Sequence, residues 1–213
     1  MTIPQFTIGL HGNCMASGET IDDVVRRLIH ALDAAGVPYM LTGSFASSLH
    51  GMPRATQDID LVIAPNPANL EALLKHFPED QYYVNRETAL EAYRGGSLFN
   101  VIDFASGWKI DFIVRKSRDF SMLEVDRRVP AKIFGTTLFV ASPEDVLISK
   151  LEWAKLAESE RQIEDAAGII RTQSQDLDTA YIEDWTNKLG LQESGPTRNK
   201  KPAKPKPRAG RNG

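Results

Sequence analysis

With 213 residues, 42% of them hydrophobic, the chain is long enough for one sizeable core and has the composition of a globular protein. The net charge of −3 conceals an asymmetry: Arg198, Lys200, Lys201, Lys204, Lys206, Arg208 and Arg211 put seven positive charges in the last twenty residues, with no acid among them. That leaves roughly −10 for the rest of the chain. A single cysteine, Cys14, excludes an intrachain disulfide, and no apolar run approaches the roughly 20 residues of a bilayer span. The first residues lack the basic start and apolar run of a signal peptide, so the expected location is the cytoplasm, without a membrane segment.

In chain order, residues 1–19 read as an N-terminal extension. Thr20-Ile-Asp-Asp then matches a helix capping box with Asp at its fourth position, and acids near the positive helix end favour the same start. Ile21, Val24, Val25, Leu28, Leu32 and Ala35 follow at helical spacing, and Gly36 supplies the stop. His30 within this helix has no second ligand at i+3 or i+4 and reads as a surface residue. Residues 37–41 predict a strand, Gly43-Ser44 a turn, and 45–50 a short helix with Phe45, Ala46 and Leu49 as its apolar side.

After a Gly-Met-Pro-Arg-Ala-Thr loop comes a strand over 58–63, apolar except for Asp58 and Asp60. Side chains alternate along a strand, so both aspartates leave from one face while Ile59 and Leu61 leave from the other. Two adjacent carboxylates repel unless a positive group stands between them, and a divalent cation is the natural third party. Desolvating them costs several kcal/mol per ion, which places the pair at the accessible end of the strand, facing a cleft.

Asn66 and Pro67 open a further helix whose buried stripe is Leu70, Leu73, Leu74 and Phe77, and Pro78 lies beyond its end. Residues 81–84 predict an edge strand, and 88–93 a short helix closed by Gly95 and Gly96. Two β-like runs, 98–104 and 109–114, form a hairpin through Ala-Ser-Gly-Trp. In the second run Lys109, Asp111 and Ile113 share a face, which makes Asp111 a third acid set in an apolar strand, with Asp103 of the partner run a weaker substitute.

A second pair of runs, 129–134 and 137–140, meets at Gly135. Ser142-Pro-Glu-Asp then signals a helix start, with Val146, Leu147, Leu151 and Ala154 as the buried stripe and Lys150 inside it. A lysine there either snorkels to the surface or directs its ammonium into an anionic site. Ser159 caps a helix over 160–171 that buries Ile163, Ala166, Ala167 and Ile170, and Arg161 and Asp165 on it read as a surface pair worth roughly 0.3–0.5 kcal/mol. A last helix covers 179–189, with Tyr181 and Trp185 on one side. From Ser194 onward Pro and Lys alternate with no large apolar residue, the composition of a disordered basic tail that either recruits RNA or another polyanion or keeps the chain in solution.

The chemistry gathers around few residues. A Gly-Ser junction that opens a helix offers free backbone N–H groups and the positive helix end to a phosphate. After thirteen intervening residues come Asp58 and Asp60, and Asp111 and Lys150 follow. His50 and Arg54, between Ser44 and Asp58, are more distant candidates, with a solvated loop as the simpler account. His11, His76 and Cys14 have no partners at zinc-site spacing, and Trp153 reads as a packing residue.

Gly43-Ser44, Asp58-Ile-Asp60 and Lys-Ile-Asp111-Phe-Ile together resemble the nucleotidyltransferase superfamily, over residues 21–171. The phrases HGMPRATQDIDLVI and SPEDVLISKLEWA look more particularly like its AbiEii-like branch, which includes toxins of toxin–antitoxin pairs. The resemblance implies an α/β (α+β) fold, a small mixed β-sheet flanked by helices, with a nucleotidyltransferase core over 20–141, a helical region over 142–193 and a tail over 194–213. It also implies Mg²⁺ held by Asp58, Asp60 and Asp111, an NTP whose triphosphate is held by Gly43 and Ser44 and contacted by Lys150, and Asp165 lining the same pocket with Arg161 beside it. The implied reaction is transfer of NMP to an acceptor hydroxyl of RNA, tRNA, protein or a small molecule, with an antitoxin as a partner. The competing expectation is a catalytically silent binding module of the same fold.

Overall fold

The computed structural model describes residues 5–6 and 20–192. The predicted basic tail, and all of the N-terminal extension except its residues 5–6, lie outside the described residues, as do His11 and Cys14.

Helix α1 (Ile21–Ala34) begins where the capping box predicts: the Asp23 carboxylate accepts from the Thr20 N–H at 3.1 Å and from its hydroxyl at 2.8 Å. Gly36, at φ +63°, ends the helical path. The chain then enters β2 (Tyr39–Leu41), α2 (Gly43–His50) and β3 (Asp58–Ile63), the predicted strand–helix–strand unit, with one correction. Gly43 and Ser44 are not a turn ahead of the helix but its first residues, behind Thr42 at the N-cap. The other strands are β1 (Gln5–Phe6), β4 (Tyr82–Val84), β5 (Leu98–Asp103), β6 (Lys109–Val114), β7 (Val129–Ile133) and β8 (Thr136–Val140).

All eight form one mixed sheet in the order β1-β7-β8-β2-β3-β6-β5-β4. The pairs β1/β7, β2/β8 and β3/β6 are parallel and the rest antiparallel. Strand β4 takes the predicted edge, and β5/β6 the predicted hairpin. This is the expected mixed α/β architecture, a sheet flanked by helices.

Around the sheet lie α3 (Pro67–Leu74), capped by the Asn66 side chain accepting from Asn69 N–H at 2.8 Å, and α4 (Arg86–Gly95), ended by left-handed Gly96. Further on are α5 (Asp119–Asp126), α6 (Pro143–Ala157), α7 (Glu160–Gln173) and α8 (Thr179–Lys188). The core sits on the sheet. Ile59, Leu61 and Ile63 of β3 and Ile110 and Phe112 of β6 are almost wholly buried, and Phe112 stacks on Phe99 at 5.1 Å between ring centres.

Two expectations about packing change, and one helix has no counterpart among the predicted elements. Helix α5 carries no periodic apolar stripe, and its buried side is Phe120, Ser121, Glu124 and Val125. On α7, Ile169 rather than Ile170 is buried, because the helix presents Gly168 to the loop after α2, where Gly51 and Met52 come within van der Waals reach of its backbone. His50 ends α2, as the predicted helix over 45–50 has it, but its side chain lies in the core rather than in solvent, with Nε2 2.8 Å from the Ala141 carbonyl, and burial lowers its pKa.

Candidate functional site

The N-terminal ends of parallel β3 and β6 and the C-terminal end of β2 reach the same edge of the sheet. Their register sets Asp58 beside Lys109 and Asp60 beside Asp111. Because strand side chains alternate, all four leave the sheet on one face. Asp58 is exposed at the strand's start, Asp60 and Asp111 are partly buried, and a cleft of about 340 Å³ opens over all three acids. Thr42, Gly43 and Ser44 form its nearby wall and α6 and α7 its far side, through Ser149, Lys150, Trp153, Arg161 and Gln162.

Two contacts show how tightly the sequence is fitted at this point. Gly43 lies at φ +63°, a left-handed conformation that costs an L side chain about 1–2 kcal/mol. A Cβ there would stand 2.0 Å from Asp60 Oδ2. Only glycine lets the β2–α2 junction close over the aspartate, and the next residue's N–H then points at the same oxygen, Ser44 N to Asp60 Oδ2 at 3.4 Å.

Burial raises the pKa of Asp60, and the charges of Asp111 and Asp58 push the same way, against the Ser44 N–H and Lys150. Lys109 relieves part of this repulsion. Its Nζ lies 2.7 Å from Asp111 Oδ2, and that hydrogen bond raises the lysine's own pKa, with the charges of Asp58 and Asp60 adding to it. Asp111 Oδ1 is left buried with no partner, an unusual state for a carboxylate oxygen.

Among the described residues no group of three or more His, Cys, Asp or Glu side chains is drawn together as a ready metal site. The donor set nonetheless suits a hard divalent cation: oxygen ligands only, one of them unpaired, and an anion at Asp60 that burial and its neighbours destabilise.

The opposite wall is basic. Lys150 faces inward rather than snorkelling: it is 4% exposed and donates to Asp165 Oδ2 at 2.8 Å. Arg54 reaches the same carboxylate through Nε at 3.1 Å and Nη2 at 3.3 Å, and Nη2 also donates to the Ser44 hydroxyl. The surface pair expected between Arg161 and Asp165 is therefore replaced by a partly buried one between Asp165, Lys150 and Arg54, and Arg161 lines the cleft instead. Burial works to raise the Asp165 pKa, but Lys150 and Arg54 together take it below the ordinary aspartate value. Two cations against one anion leave this wall with a surplus positive charge beside the start of α2.

The cleft thus brings together Gly43, Ser44, Arg54, Asp58, Asp60, Asp111 and Lys150, with Asp165 held behind Lys150 and Arg54. Asp103 does not belong. It pairs with Arg27 at 2.5 Å and lines a separate pocket with Tyr82. Trp153, read from sequence as packing, is 48% exposed and lines the cleft, and Gln162 joins it there. Nothing in the sequence marks Gln162, since a polar residue in the first turn of an amphipathic helix is ordinary.

No protein-family model matches the chain, and the comparison with curated proteins finds no match. Solved structures do resemble it. The crystal structure of ANT(2″)-Ia in complex with adenylyl-2″-tobramycin superposes with a TM-score of 0.55 at 14% identity, over 81% of this chain and 98% of that one. The solution structure of the same antibiotic-resistance factor gives 0.51 at 14% identity, over 79% and 90%. An antigenic nucleotidyltransferase-like protein from Paracoccidioides brasiliensis gives 0.50 at 21% identity, over 81% and 90%. The chain has the nucleotidyltransferase fold.

Proposed function

We propose that the protein is a Mg²⁺-dependent nucleotidyltransferase that moves NMP from an NTP to an acceptor hydroxyl. One observation carries this reading: Asp60 and Asp111 stand side by side on adjacent strands, under a helix start that only glycine can close, across a cleft from a surplus of positive charge.

In this reading the triphosphate lies against the start of α2, received by the backbone at Gly43 and Ser44 and by Lys150 and Arg54. Arg54 and Asp165 hold Ser44 and Lys150 in place beforehand, so little reorganisation accompanies binding. Asp58, Asp60 and Asp111 would hold the divalent cation, which supplies positive charge to the reacting phosphate. Asp111 Oδ1, free of partners while Lys109 occupies Oδ2, takes the proton of the acceptor hydroxyl. The acceptor oxygen bonds to the α-phosphorus, the bond from that phosphorus to the bridging oxygen breaks, and pyrophosphate leaves.

The same proposal extends to the chain's organisation, with a core over 20–141 and a helical region over 142–193 between the extension and the tail. It also includes the AbiEii-like branch: a toxin with an antitoxin partner, acting in the cytoplasm on RNA or tRNA, drawn by the seven tail charges. Among the described residues no helix is long and apolar enough to cross a membrane.

A second reading, a silent binding module, draws on the Lys109–Asp111 pair, which already occupies one carboxylate oxygen at the acidic side of the cleft. Incubation with each labelled NTP, Mg²⁺ and RNA, protein or small-molecule acceptors separates the two. Labelled product is expected from the wild type, and Asp60→Asn should abolish it while leaving the melting temperature level or higher, because a like-charge repulsion is relieved. Transfer that survives Asp60→Asn refutes the assignment, and a wild type that binds NTP without any transfer favours the silent module.

A further inference from the structure

Helices α6 and α7 fold back on each other through Glu158 and Ser159, and Lys150 of one meets Asp165 of the other at 2.8 Å. Three residues nearer the bend on each helix stand Trp153 and Gln162, the next rung of the same helix pair, and both line the cleft. Three residues of helical rise, about 4.5 Å, separate them from the basic rung.

Both residues carry an unmet preference. Trp108 tilts against Phe45 at 5.8 Å and Trp185 against Phe120 at 5.3 Å, but Trp153 has no aromatic partner among the described residues and is 48% exposed. Burying its apolar surface is the ordinary preference of such a ring. The Gln162 side-chain carbonyl, Oε1, is buried with no hydrogen-bond donor. A buried acceptor left unpaired forfeits the hydrogen bonds it had with water. A ligand that offers this rung a flat π-face together with an N–H edge satisfies both, and every nucleobase linked through a sugar to phosphates at Lys150 has that form.

We propose that Trp153 and Gln162 form the nucleobase subsite of the cleft, with the base stacked on the indole and its edge facing the glutamine amide. This rests on the nucleotidyltransferase reading and adds to it the residues that hold the base. Stacking tolerates any base but strengthens with ring area, so purine nucleotides should bind more tightly than pyrimidine ones.

Calorimetric titration of the full chain in Mg²⁺ with ATP, UTP and inorganic triphosphate tests this. The wild type should bind ATP more tightly than UTP. Trp153→Ala should weaken ATP roughly tenfold and narrow its advantage over UTP while leaving inorganic triphosphate unchanged, and Trp153→Phe should recover most of the loss. Gln162→Ala should weaken ATP and spare triphosphate. Because Trp153 is half exposed, its melting temperature should hold, so the loss can be read as binding. Unchanged ATP affinity in Trp153→Ala, or a loss shared equally by inorganic triphosphate, overturns the subsite alone. A wild type that binds neither ATP nor triphosphate overturns the nucleotidyltransferase reading and the subsite with it.

Discussion

Glu124 is 6% exposed between α5 and α6, near Asp145, Glu152 and Arg118. Burial, reinforced by the Asp145 charge, pushes its pKa from 4.5 up to about 7, and Arg118 only partly offsets this. The folded protein therefore holds this proton more firmly than the unfolded chain does. Its contribution to stability is fully present below about pH 4.5 and is lost as pH rises through about 7, at a cost on the order of 3 kcal/mol. Glu124→Gln, which keeps the neutral shape, should match the wild type in denaturant titrations at pH 5 and exceed it at pH 8. Equal stabilities at pH 8 would mean that the carboxylate finds its counter-charge when folded. At this scale the sequence was readable wherever a residue broke the pattern around it: Asp58, Asp60 and Asp111 in apolar strands and Lys150 in an apolar stripe each stood out against their neighbours. Asp165 and Gln162 broke no pattern. The partners of Asp165 lie on other elements, and a polar residue near the start of a surface helix, as Gln162 is, is the norm.

The element that sets the site is the junction of β2 and α2. Gly43→Ala combines a left-handed backbone with a Cβ 2.0 Å from Asp60 Oδ2 and 2.7 Å from Asp60 Cβ, so either the helix start or the aspartate must move. A loss of at least about 1–2 kcal/mol follows from the backbone alone. Nucleotidyl transfer should fall much further than the melting temperature does, since Asp60 is the group displaced. A variant with wild-type transfer and a lowered melting temperature would separate the glycine's folding role from the site. Strands and long helices were legible because period-two and helical spacing, caps and glycine stops agreed with one another. Helix α5 was not, because Asp119–Asp126 buries Ser121 and Glu124 alongside Phe120 and Val125 and so shows no clean stripe. The start of α2 was misplaced because Gly43 and Ser44 carry a turn's composition while lying inside the helix.

Across the whole molecule, the sheet and the α6–α7 pair cooperate through few connections. Arg54, in the loop ahead of β3, reaches Asp165 on α7, and Gly51 and Gly168 bring the backbones of that loop and α7 into contact. Helix α8 is fastened through Tyr181, whose hydroxyl donates to Asp145 Oδ1 at 2.6 Å while its ring lies 3.9 Å beneath the Arg127 guanidinium. None of these links could be read in advance, because each joins residues far apart in the chain whose types are common on any surface. The strand order escaped prediction for the same reason: the β3/β6 pairing that aligns Asp60 with Asp111 is parallel and crosses two helices and two strands.

The division of the cleft into an acidic floor and a basic roof has a consequence before any ligand touches it. Asp58, Asp60 and Asp111 outweigh Lys109 on one side, and Arg54, Lys150 and Arg161 outweigh Asp165 on the other, so the cavity carries a fixed dipole. An approaching polyanion experiences a torque and enters phosphate tail toward the roof. Misoriented encounters are turned away by the floor rather than sorted by trial. Nucleotide association should therefore slow as ionic strength rises, since the field that aligns the ligand decays over a Debye length of about 8–10 Å near physiological salt. Stopped-flow binding of a fluorescent NTP at 50 and 500 mM salt measures it, and a rate indifferent to salt would mean that orientation is imposed only after contact.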